Sequence, residues 1–174
     1  MEDGTAPTES PSPPAIDVSI LDALLQNAEQ LCKSLTTPQS WHRVSDLPSA
    51  TGTRRFENHP HRPPRCAGVY IIRHDDHGVL YVGESDNLRQ RLCNSQLNHG
   101  KSLEGFRGKV QRRYELSPHE VRPFLNEHCD FAWLEIRKGG LDVREFVEKL
   151  IITWMRASKQ PLLNSSRQGK RPKP

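Results

Sequence analysis

Two short runs constrain this chain more than any other feature. Residues 68–72 read GVYII and residues 79–83 read VLYVG. Both are β-branched and aromatic, the composition of strands. Between them lies HDDHG, in which Asp76 and Gly78 suit a turn. The pattern predicts a β-hairpin. Side chains alternate faces along a strand, so Tyr70 shares a face with Gly68 and Ile72, and Tyr81 shares one with Val79 and Gly83. In a suitable register the two phenols stand on one face, near each other. Gly68 and Gly83 beside them leave room for a bulky anionic group to approach the backbone.

After the hairpin comes ESDNLRQRL, in which Ser85 or Asp86 can cap a helix. Leu88 and Leu92 then face a core. On an ideal helix Arg89 and Arg91 each lie about 80° from that stripe, so periodicity does not choose which reaches back to the hairpin. Further on, FAWLEIRK (131–138) alternates like a third strand and Gly139-Gly140 end it. LDVREFVEKLIITWMR then reads as a helix with Val143, Phe146, Val147, Leu150, Ile151 and Trp154 on one face. On that wheel Glu145 points nearly opposite the apolar face, into solvent, and Glu148 lies about 130° from its centre, nearer the boundary. A boundary carboxylate lines a cleft more easily.

GVY, then YVG, then NLRQR resembles the opening half of the GIY-YIG nuclease family. The family's first block falls on Gly68-Val69-Tyr70 and its second on Tyr81-Val82-Gly83, with Val in both middle positions. Its arginine, following Asn-Leu, falls on Arg91. Its carboxylate, two residues before a Leu-Ile pair, falls on Glu148. Its terminal proline–asparagine element falls on PLLN, which gives Asn164, 16 residues beyond Glu148. The resemblance covers roughly residues 66–165. It implies an α+β fold, a small three-stranded antiparallel sheet flanked by helices, and the strands counted above agree. It also implies a metal-dependent endonuclease that cuts DNA. Tyr70, Tyr81, Arg91, Glu148 and Asn164 would then be the catalytic set, with Mg²⁺ (or Mn²⁺) on Glu148. Gly68, Gly83, Arg89, Arg112 and Arg113 are the expected substrate-binding positions. Singly, two tyrosines in a hairpin are packing and a helical glutamate is a solvated face. Together, in family order, they point to chemistry.

Phosphodiester hydrolysis explains the residue types. It needs an in-line water and stabilised charge on the phosphoryl oxygens. One carboxylate can hold a Mg²⁺ that keeps most of its waters, and an arginine gives a permanent charge with several donors. A free tyrosine has a pKa of about 10, so Tyr70 as base or water-orienting group needs help from Tyr81, the metal or an arginine. Asn164 would position backbone or a neighbour by hydrogen bonds.

Around this unit, residues 1–15 are rich in Pro, Ser and Thr, the composition of a disordered tail. Residues 16–36 carry an apolar stripe at helical spacing (Leu21, Leu24, Leu25, Ala28, Leu31, Cys32, Leu35). That helix covers its own domain, or else pairs with a partner or a second copy. Residues 37–65 read as a linker or basic arm; His59 and His61 tempt toward a metal, but four spaced zinc ligands cannot be assembled there. In the middle, Ser117 with Pro118 and Glu120 predicts a helix start. Arg107, Lys109, Arg112 and Arg113 precede it, as phosphate contacts or as a solvated face. A basic tail, 166–174, closes the chain. Residues 1–32 have a formal charge of −6 and the remainder +10. A body that basic suits a polyanionic partner, DNA above all. The four scattered cysteines, with no CxxC pair, argue against a disulfide framework or zinc cluster. With no apolar run of membrane-spanning length and no secretory pattern at the N-terminus, a cytoplasmic (intracellular) protein is expected. Two other functions fit the same residues: a nucleic-acid-binding module of this fold that has lost cleavage, and a scaffold that binds a partner through helix 17–35.

Overall fold

The computed structural model describes residues 18–35, 41–47, 62–96, 105–137 and 140–164. The expected tails at 1–15 and 166–174, and His59 and His61, lie outside them. In chain order the elements are α1 (Val18–Leu35), β1 (His42–Arg43), a 3-10 turn (Val44–Asp46), β2 (Gly68–His74), β3 (Gly78–Ser85), a π-helix (Gln90–Gln96), α2 (Phe106–Tyr114), α3 (Val121–His128), β4 (Cys129–Glu135) and α4 (Gly140–Ala157). No helix among the described residues is long and apolar enough to cross a membrane.

Among the described residues the sheet has four antiparallel strands in the order β1-β4-β2-β3, not the expected three. The fourth is β1, from the segment read as a linker. Two residues are too few for a period-2 pattern to register, and charge locks this strand in place. Arg43 bonds Asp75 at 2.8 Å and reaches the buried Asp130 at 3.3 Å. Arg73 on β2 meets the same Asp130 at 2.8 Å, with its guanidinium 4.2 Å from the centre of the Trp41 ring.

The hairpin pairs Tyr70 with Gly83 and Ile72 with Tyr81, then Arg73 with Val79. Leu80 is therefore the extra residue of a β-bulge. The bulge breaks the expected alternation. Leu80 and Tyr81 join one face, with Tyr70, Ile72 and Phe131, while Val79 turns to the other, with Val69, Ile71 and Val82. Helices cover both faces. The first carries Leu88 and Leu92 around the π-helix, Phe106 and Val110 of α2, and Val121 and Leu125 of α3. The second carries Ile151 and Met155 of α4 and Cys32 of α1. Burial on both sides is why GVYII reads as a continuous apolar run.

The helix start predicted at Ser117 forms half of its capping box: the Glu120 carboxylate accepts the Ser117 N–H at 2.8 Å, and regular helix begins at Val121. At the hairpin tip His74 is buried among rings, with His77 at 4.3 Å, His128 at 5.4 Å and Tyr114 at 5.6 Å between centroids. Its Nδ1 accepts the Asp76 N–H at 3.0 Å. Burial, then His77 and His128, lower its pKa, against the opposite pull of Asp76 and Asp75. A base depressed in this way binds fewer protons folded than unfolded. Its contribution to stability is present above about pH 6.5 and is lost as pH falls through the lowered folded value. Thermal unfolding followed from about pH 7.5 to 5 is expected to show a midpoint that falls with acid, and falls less in His74→Phe. Parallel profiles would remove His74 as the cause.

Candidate active site

The site is built around the edge strand β3. Tyr70 stands opposite Gly83 in the register, and its phenol lies across that glycine. A Cβ at Gly83 would meet Tyr70 Oη, with Cζ at 2.5 Å and Cε1 at 2.9 Å. The absent side chain is what lets the phenol take this course. Tyr81 lies diagonally, its ring centroid 6.2 Å from that of Tyr70 and 5.2 Å from that of Phe106. Gly68 plays a different part from the one expected. Its Cβ position is filled by Leu134 O and, at 2.8 Å, by Leu88 Cδ1, so it serves close packing.

The turn after β3 is capped by Asn87 rather than by Ser85 or Asp86. Asn87 Oδ1 accepts the Gln90 N–H at 3.1 Å, while Ser85 Oγ accepts the Asn87 N–H at 3.0 Å. The coil then opens into the π-helix. Leu88, Leu92 and Cys93 anchor it in the core, and the two arginines separate. Arg89 turns away and donates from Nε to Pro63 O at 2.9 Å. Arg91 faces the tyrosines. Arg112 and Arg113 are exposed on α2 and do not line the cleft.

Tyr70, Tyr81, Gly83, Arg91, Glu148 and Asn164 line one cleft of about 520 Å³. Glu84, Glu145, Lys109, Lys149 and Arg156 also line it. The sequence wheel sent Glu145 into solvent, yet it is half-buried on the wall. The wheel was centred by Val143 and Phe146, which are 39 % and 57 % exposed. The buried face is set farther along by Val147, Ile151 and Met155, and this rotates both glutamates toward the cleft. Glu145 receives Lys149 Nζ at 3.3 Å, and Glu84 receives Arg144 Nε at 3.2 Å.

Burial, chiefly, and then Tyr81 push the Tyr70 phenol well above its ordinary pKa. Arg91 pulls it down, and Glu148 and Glu84 push it up. Tyr70 is therefore a neutral phenol at physiological pH, and the residues that act on it are the others of this cleft. Asn164 pairs with backbone rather than facing open space. Its Oδ1 accepts the Val82 N–H at 2.9 Å and its Nδ2 donates to Val82 O at 2.7 Å. Leu163 N–H bonds Leu80 O at 2.6 Å, and Gln160 Oε1 accepts the Val79 N–H at 3.0 Å. The segment 160–164 thus holds β3 from its open side.

Among the described residues no group of three His, Cys, Asp or Glu side chains converges as a metal cage. The carboxylates that face the cleft are Glu84, Glu145 and Glu148. A donor set of one or two carboxylates is the kind that suits a Mg²⁺ keeping several waters and sharing a phosphate.

The family model described as the GIY-YIG catalytic domain matches residues 66–160, more than half of the chain. No curated protein and no solved structure matches the chain.

Proposed function

The chain belongs to the GIY-YIG catalytic domain family, and from that premise we propose that it is a metal-dependent endonuclease hydrolysing DNA phosphodiester bonds in this single cleft. The observation that carries the reading is the convergence of Tyr70, Tyr81, Arg91 and Glu148 on one wall system, with a basic body around it.

In this reading Arg91 binds the non-bridging oxygens of the scissile phosphate through its several donors. Glu148 would hold a Mg²⁺ or Mn²⁺, which would supply positive charge to the phosphoryl and leaving oxygens. Tyr70, kept protonated by burial, orients the attacking water through its hydroxyl, and Tyr81 walls the same side. Asn164 fixes the Val82 backbone, and with it the strand that carries Tyr81 and Gly83. The +10 charge of residues 33–174 favours a polyanion.

The test is incubation of the purified protein with supercoiled plasmid and with branched DNA, with Mg²⁺ or Mn²⁺ or with chelator. Nicking or linearisation that the chelator stops is the expected result. Binding that weakens with salt, without cleavage of any of these DNAs, would replace this reading with a binding module of the same fold.

A further inference from the structure

The cleft carries one cation whose use the catalytic set leaves unexplained. Among the described residues four positively charged side chains line it: Arg91, Lys109, Lys149 and Arg156. Lys149 is paired with Glu145, and Arg156 donates to Asn164 O at 3.2 Å. Arg91 and Lys109, among the described residues, make neither an ion pair nor a side-chain hydrogen bond.

Lys109 is held in place from below. On α2, Phe106, Gly108 and Val110 are buried, and the Phe106 ring packs on Tyr81. This puts Lys109 Nζ 5.5 Å above the centre of the Tyr81 ring, within the range of a cation–π contact. Of the basic residues in FRGKVQRR only Lys109 lines the cleft.

We propose that Lys109 is a second phosphate-contacting cation of the cleft, acting with Arg91 on the charge that develops at the scissile phosphate. The proposal rests on the nuclease reading above. A half-buried ammonium that pairs with no carboxylate among the described residues is poorly solvated until an anion arrives. Burial, chiefly, and then Arg112 lower the Lys109 pKa. A phosphate entering the cleft relieves that cost, and the ring beneath keeps the charge in position before it arrives, the condition under which a fixed charge accelerates a reaction.

The experiment is single-turnover cleavage of supercoiled plasmid with Mg²⁺ by wild type, Lys109→Met, Lys109→Arg and Glu148→Gln, each checked for an unchanged unfolding midpoint. Lys109→Met is expected to lower the maximal rate about a hundredfold. Its half-saturating protein concentration stays within about threefold, because the scissile phosphate is one of many backbone contacts. Lys109→Arg is expected to recover most of the loss. If Lys109→Met cuts at the wild-type rate while Glu148→Gln does not cut, the Lys109 proposal falls and the nuclease reading stands. If Lys109→Met and Lys109→Arg are equally slow, charge is not what the position supplies and the proposal also falls. If wild type does not cut, both fall together.

Discussion

Glu148→Gln is expected to lower single-turnover DNA cleavage at least about a thousandfold. Glutamine keeps the size and loses the charge, so the change tests the proposed metal-holding role of this carboxylate. Metal stabilisation of a phosphoryl transition state is worth several kcal/mol, and each 1.4 kcal/mol is roughly tenfold in rate. Glu148 is half-buried at the cleft wall, so the unfolding midpoint is expected to move little. The informative companion is Glu145→Gln. Glu145 faces the same cleft and pairs with Lys149, while the charges that act on the Tyr70 phenol include Glu148 and Glu84. Its loss is expected to cost much less. If Glu145→Gln were the dead variant and Glu148→Gln an active one, the metal would have to be reassigned to Glu145.

Gly83→Ala is the second large effect. The added methyl would have to occupy space held by Tyr70 Oη and by Cζ at 2.5 Å, and the phenol is buried with little freedom to yield. Either the ring tilts or β3 shifts from β2. Overpacking of this kind costs about 1–3 kcal/mol of stability. A displacement of about 1 Å of a reacting or orienting group costs roughly a hundredfold in rate. Denaturant unfolding and cleavage, measured together at a temperature where the variant is folded, separate the two. A folded Gly83→Ala that cuts at the wild-type rate would mean that the position of the Tyr70 hydroxyl is immaterial.

Much of this was legible in the sequence, for identifiable reasons. The hairpin announced itself because strand composition, turn residues and two glycine–tyrosine blocks coincide in residues 68–83. The choice of Arg91 over Arg89 was not available from periodicity. It depends on Pro63 accepting Arg89 and on a π-helix where regular helix was expected. Strand β1 was hidden because its cause, Arg43 bridging Asp75 and Asp130, is a set of contacts distant in sequence. The bulge at Leu80 left no composition signal, and it alone reversed the face of Val79. Glu145 was misplaced because exposed apolar side chains, Val143 and Phe146, entered the helical wheel with the same weight as buried ones. Lys109 stood in the sequence as one of several basic residues. Only the packing of Phe106 against Tyr81 distinguishes it.

The backbone bonds from residues 160–164 to Val79, Leu80 and Val82 have a consequence for how this unit can be handled and how it can fail. β3 is the outer strand, and an uncovered outer strand is a template for a strand from another molecule. Gln160, Leu163 and Asn164 occupy that template with the chain's own atoms. They act as a guard against strand exchange and fibril-like association as much as a brace for the cleft. A fragment cut at residue 160, where the family match ends, would keep the charged groups that line the cleft and leave its outer strand open to its neighbours at Leu80 and Val82.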